Sequence, residues 1–149
     1  MCLELKPSFE TIELALAHPP RIAQNDITVF KVLIPIESGD VCMSPIRMFR
    51  YKLGLLYKVD LRPKPMEINS VYLVFAGGDT INRPYKLEIN EGLHSFANLR
   101  AAINFKNNIE NAQGCYGSIF KCTIPVGSQY FINSAEVASN QLIINGRLD

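Results

Sequence analysis

Long apolar runs are missing from this 149-residue chain: no stretch approaches the roughly 18 residues that a membrane-crossing helix needs. The opening MCLELKPSFE lacks the basic region and apolar core of a signal peptide, and Cys2 stands where myristoylation needs Gly. A cytoplasmic protein with no membrane association is therefore expected. Cysteine is sparse, at positions 2, 42, 115 and 122, with no Cys-x-x-Cys pair. The two histidines, His18 and His94, do not stand at metal-ligand spacing. Neither a metal site nor a disulfide framework is expected, and the thiols read as buried groups in a reducing compartment.

Catalytic signatures are equally scarce. There is no Gly-x-Ser-x-Gly elbow, and the adjacent His94 and Ser95 would leave opposite faces of a strand, which argues against a serine-hydrolase triad. A cysteine nucleophile with His94 as its base stays open, though Cys115 and Cys122 carry no local signature of one. Gly77-Gly78 lacks the following Lys-Ser/Thr of a phosphate-binding loop and reads as a hairpin turn. Glu88 and Glu91 flank a turn and form no paired-carboxylate motif. Repeats and low-complexity tracts are absent.

What is present describes a globular domain. An apolar fraction of 48% with 19% charged residues is too apolar for a disordered segment and too weakly charged for a long coiled coil. Ser8 reads as the N-cap of a helix whose Phe9, Ile12 and Leu16 share a face, ended by His18-Pro19-Pro20. His18 suits the negative end of that helix dipole. ITVFKVLI (27–34) is a strand, followed by a loop, PIESGDVCMSP. MFRYKL alternates Phe49, Tyr51 and Leu53 against Arg50 and Lys52, Gly54 interrupts it, and LLYKVDL resumes. Arg62-Pro63-Lys64-Pro65 reads as an exposed connector. VYLVF (71–75) is a strand, and INRPYKLEI returns from it with Pro84 marking an edge or a bulge. A second helix follows Ser95, with Leu99, Ala102, Ile103 and Ile109 on its buried face, fading at Asn111–Gly114. SIFKCTI, QYFIN and EVASNQLII are the closing strands, with Pro125-Val126-Gly127 a turn. The expectation is a single α+β domain over residues 1–149, mainly antiparallel or mixed, with roughly six to eight strands and two helices.

Two features point to a ligand. The stretch RMFRYKLGLLYKVDLRPK (47–64) sets Arg47, Arg50, Lys52, Lys58, Arg62 and Lys64 against Asp60 alone, in a chain of net charge +1. This local excess attracts anions, and Phe49, Tyr51 and Tyr57 offer rings for stacking. The same pattern is also that of a strand pair with one solvated basic face. The second feature is NEGLHSF: Gly92 permits a turn, Ser95 caps the helix, Phe96 staples it, and His94 satisfies a carbonyl. Against that capping role stands an anion site, since a helix N-terminus beside a basic strand favours phosphate.

The order of a basic strand, His94-Ser95, a helix, IPVG after a strand and an acid-led late strand resembles the ADP-ribosyltransferase fold across roughly residues 47 to 144. That resemblance implies an NAD site with Arg50 binding the pyrophosphate, Ser95 orienting and Glu136 stabilising the oxocarbenium ion. The sequence departs from that family in reading His94-Ser95-Phe96 where two hydroxyls are typical, and Ser134 two residues before Glu136. A second resemblance is to small phage and bacterial proteins that share Y-x-x-G-x-x-Y (Tyr51, Gly54, Tyr57), GxHSF and IPxGxxY motifs, and it carries no activity. The leading expectation is a phage or bacterial accessory protein that binds without catalysis and without a cofactor. It would engage a nucleotide-like anion or a host protein through Arg47, Arg50, Tyr51, Lys52, His94 and Ser95. An NAD-dependent ADP-ribosyltransferase is the alternative. A third possibility is an interaction module whose basic strand meets an acidic protein or nucleic acid.

Overall fold

The structure is a computed structural model that describes residues 3–36, 41–45, 49–67, 85–114 and 116–148. The expected strand over 71–75, its Gly77-Gly78 turn and the approach through Pro84 lie outside the described residues, as do Arg47, Cys2 and Cys115.

The described chain is α+β and its strand pairings are antiparallel. Its elements are β1 (Leu3–Phe9), α1 (Ile12–Leu16), β2 (Arg21–Ile22), β3 (Ile27–Pro35), β4 (Val41–Met43), β5 (Arg50–Lys52), β6 (Leu56–Lys58) and β7 (Arg62–Glu67). They continue with β8 (Tyr85–Glu91), β9 (Leu93–Phe96), α2 (Leu99–Gln113), β10 (Ser118–Ile124), β11 (Gln129–Ile132), β12 (Glu136–Ser139) and β13 (Gln141–Arg147). A small sheet runs β1-β8-β7 and a large one β2-β11-β12-β9-β3-β10-β13-β6, with β4 and β5 added beside β3.

Thirteen described strands exceed the expected six to eight, and the difference has local causes. Val41–Met43, read as loop, pairs with both β3 and β5. Arg62-Pro63-Lys64-Pro65, read as a connector, belongs to a strand over Arg62–Glu67 that is the outer one of the small sheet among the described residues, a position where proline is tolerated. EVASNQLII is two strands bent at Asn140. Its first half pairs with β9 and β11, and its second with β10 and β6. Because the sheet runs β12-β9-β3-β10-β13 and β12 continues into β13, the sheet curls round until both ends meet one bent strand.

Both helix starts also differ from expectation. Ser8 lies within β1, and Thr11 caps α1 by accepting the Leu14 N–H at 3.2 Å. His18 lies past the end of α1, its ring against Phe9 and Phe131. Asn98, not Ser95, caps α2, accepting the Ala101 N–H at 2.9 Å. Leu99 and Ile103 are exposed, and the buried stripe of α2 is Ala102 and Ile109 with Ala101 and Phe105 beside them. Moving the cap by three residues keeps the helix, and packing against Val32, Phe96 and Ile119 decides which face turns inward.

Inside the curled sheet, Val29, Leu33, Phe120, Cys122, Ile124, Val137, Leu142 and Ile144 form the main core. On the opposite face of β3, Val32 packs under α2 with Phe96 and Ile119. Leu3, Leu5, Leu87 and Ile89 of the small sheet bury against Phe131 and Ala138 of the large one.

Candidate functional site

The chain passes between the two sheets at three described places, one through α1 between β1 and β2 and two that lie side by side. Val59, Asp60 and Leu61 lead from β6 into β7, and Gly92 leads from β8 into β9. Gly92 has φ +149°, and a Cβ there would stand 2.7 Å from Leu61 Cδ1, so the two crossings touch where only glycine fits. The crossings are tied by Arg62, which contacts Asp60 at 3.1 Å and Glu91 at 3.3 Å.

A cavity of about 560 Å³ opens beside these crossings. From the large sheet come Lys31, Val32, Leu93, His94 and Phe96, and from α2 comes Phe105; Phe49 and Tyr51 close the side by β5; Val59, Asp60, Glu91 and Gly92 belong to the crossings. The size falls within the range of ordinary ligand pockets, which favour junctions of this kind.

The cavity's chemistry follows from how β3 meets β9. Their ladder holds the single pair Phe30–Phe96, although both strands continue. Beyond that pair, a backbone carbonyl needs another partner. The Lys31 ammonium donates to the His94 carbonyl oxygen and lies 5.3 Å from the centre of the Tyr51 ring. Lys31 occupies the inward face of β3, at the same strand parity as Val29 and Leu33 and opposite Phe120. A lysine on that parity spends its stem on the core and delivers its charge to the cavity.

Aromatic rings stand on two sides of the space. Phe49 and Tyr51 are 4.8 Å apart, with Tyr57 edge-on to Tyr51 at 5.1 Å. Phe96 and Phe105 lie 5.1 Å apart. Gly54, at φ +78°, turns the chain so that the two tyrosines of Y-x-x-G-x-x-Y meet, and the Tyr57 hydroxyl accepts the Lys52 N–H at 2.6 Å. Behind Tyr51, the Cys42 thiol is pushed up to about 11 and Cys122 to about 12, both mainly by burial, with Lys31 acting weakly in the other direction. Neither is a ready nucleophile at neutral pH.

The sequence-based site separates accordingly. Tyr51 and His94 line the cavity together. Arg50 and Lys52 flank Tyr51 on β5 but are exposed on its other face. Ser95 is fully buried, its hydroxyl has no hydrogen-bond partner, and it pairs across the ladder with Val137 in the core. Glu136 pairs with Phe96, so strand alternation sends the Ser95 and Glu136 side chains to opposite faces. Burial raises the Glu136 carboxyl above its usual range, and Glu4 adds to the shift. None of the described basic residues of 47–64 lines the cavity, to which that stretch contributes Phe49, Tyr51, Val59 and Asp60.

Lys31, Asp60, Glu91 and Phe105 are among the lining residues that the sequence reading did not assign to a site. Lys31 carried a signal: in ITVFKVLI it is the one charged residue, and counting by two places it on the side of Val29 and Leu33. Among the described residues, no group of three or more His, Cys, Asp or Glu is placed to hold a metal ion, and no helix is long and apolar enough to cross a membrane. Comparison with protein-family models, characterised proteins and solved structures gives no match.

Proposed function

We propose that this protein binds a nucleotide-like anionic small molecule in the cavity beside the sheet crossings and acts through that binding rather than by catalysis. The observation that carries the reading is Lys31: a cation on an inward core position lines an otherwise largely apolar and aromatic space. Flat rings stack on such walls, and a lysine ammonium supplies a point charge for an anionic group. The role fits a cytoplasmic accessory protein of a phage or bacterium.

The transferase reading has less support. Its logic requires Arg50, Ser95 and Glu136 around one ligand, whereas Arg50 is exposed and Ser95 and Glu136 leave opposite faces of paired strands. A buried hydroxyl facing Val137 is poorly placed to orient a ribose.

A thermal-shift panel with NAD, ADP-ribose, mononucleotides and cyclic dinucleotides tests the reading. Ligand at about 100 times its dissociation constant adds roughly 2.7 kcal/mol, or a rise of about 2–4 °C or somewhat more at this size. A shift with one nucleotide, lost in Lys31→Met and without turnover of the ligand, is the expected result. A flat panel, or consumption of NAD that Glu136→Gln abolishes, overturns it.

A further inference from the structure

We infer that the ligand of this cavity is a planar compound with a single negative charge, held by Lys31, and that polyphosphate tails are turned away at the mouth. The inference rests on the binding reading above and narrows the class of ligand.

The first argument concerns what Lys31 does. Its ammonium stands over the face of Tyr51 and donates to the His94 carbonyl. A ring face and a carbonyl oxygen both stabilise a cation and offer a neutral amine less. Lys31 therefore serves as a counter-charge, and not as an amine that adds to a carbonyl carbon. Among the described residues lining the cavity, it is the one lysine or arginine.

The second argument concerns the mouth. Asp60 and Glu91 line the cavity with side chains 79% and 58% exposed, so they mark its solvent side. Arg62 bridges them and offsets one of their two charges. An anionic group that reaches Lys31 leaves these acids behind, whereas a chain of phosphates extending outward places further negative charge beside them. Like charges held at close range repel, and the repulsion grows with each phosphate. The exposed Arg50 and Lys52 face away from this space and give it no relief.

The third argument is shape. The Phe49–Tyr51 and Phe96–Phe105 pairs provide ring surface for a flat body, and a volume of about 560 Å³ suits one compact ligand. A nucleoside cyclic monophosphate and a fused-ring aromatic carboxylate share the required chemistry: one flat ring system and one anionic group.

Isothermal titration of the purified full chain separates these sources. The ligands are adenosine and guanosine, their cyclic monophosphates, their triphosphates, and naphthoate. The singly charged members are expected to bind at least about tenfold more tightly than both the nucleosides and the triphosphates, the scale of one charge-assisted hydrogen bond. Lys31→Met is expected to remove that advantage, so that the cyclic monophosphates bind no more tightly than the nucleosides, its fold verified by circular dichroism. The double variant Asp60→Asn, Glu91→Gln changes only exposed side chains, and it is expected to raise triphosphate affinity several-fold.

Affinity that climbs from nucleoside to triphosphate overturns the single-charge inference and leaves the binding reading standing. Binding of naphthoate without any nucleotide upholds the inference and overturns the nucleotide part of the reading. No binding by any member overturns both. Should Lys31→Met fail to fold, unchanged triphosphate affinity in the double variant overturns the inference by itself.

Discussion

Glu136 and Ser95 show how much a side chain's meaning depends on which face of a strand it leaves. Burial makes the Glu136 carboxylate costly, so the folded chain holds its proton more tightly than the unfolded chain does. The native state then binds more protons across that window, and stability falls as pH rises. The contribution is fully present below the ordinary glutamate value of about 4.3 and is lost as pH passes through the raised one. Glu136→Gln is expected to flatten this part of the profile and to raise the urea midpoint near neutral pH. A variant with the wild-type slope refutes it. Ser95 is buried with an unpartnered hydroxyl, so Ser95→Ala removes a desolvated group and leaves only a small gap. Its expected effect is between neutral and about 1 kcal/mol stabilising, whereas a helix cap at that position would show a loss. Cys42 and Cys122, with thiols raised to about 11 and 12, are expected to resist alkylation at pH 8 in the folded protein and to react on unfolding, as peptide mass spectrometry of the two sites would report.

Elements reveal their caps and crossings more sharply than their interiors. Asn98→Ala deprives the Ala101 N–H of its partner and is expected to cost about 1 kcal/mol, where Ser95→Ala costs nothing. Gly92→Ala is the harsher test. It combines φ +149° with a Cβ 2.7 Å from Leu61 Cδ1, and is expected to destabilise by roughly 1–3 kcal/mol while disturbing the cavity wall. A stable Gly92→Ala protein would show that the crossing yields easily. These elements also mark what could be read in advance. ITVFKVLI and SIFKCTI announce themselves through β-branched content, and they are β3 and β10, the longest-paired strands of the large sheet. The fading of α2 before Gly114 was visible because glycine ends helices in the left-handed region, and Gly114 does so at φ +65°. By contrast, VCM and RPKPME lack an autonomous strand signal and become strands only because a neighbouring strand offers its ladder. The site was half legible for the same reason. Tyr51 and His94 drew notice locally, but the lysine that joins them reaches the cavity through a gap between β3 and β9, residues far apart in sequence.

The cavity belongs to the molecule as a whole, since its floor comes from the large sheet and its mouth from the crossings into the small one. Its integrity therefore depends on how firmly the two sheets are docked. The docking surface is the cluster of Leu3, Leu5, Leu87 and Ile89 against Phe131 and Ala138. Among the described residues, the Asn133 side-chain amide donates to the Glu4 carbonyl at 3.2 Å across the joint, while Lys86 pairs with Glu4 and Glu88 within the small sheet. The Lys86 pairs lie within one sheet and do not span the joint, so apolar burial holds it. Leu87 is fully buried there, and Leu87→Ala is expected to cost about 2–5 kcal/mol. The informative readout is which segments lose protection. If the sheets form one cooperative unit, hydrogen exchange in low denaturant accelerates together in β8, β9 and β12, and affinity for any cavity ligand falls with stability. If the small sheet opens alone, β8 exchanges early while β3 and β10 keep their protection, and the mouth then opens by undocking of the small sheet. The first outcome is expected, because β8 and β9 are joined through a single residue, Gly92, so that one strand leads directly into the other across the joint.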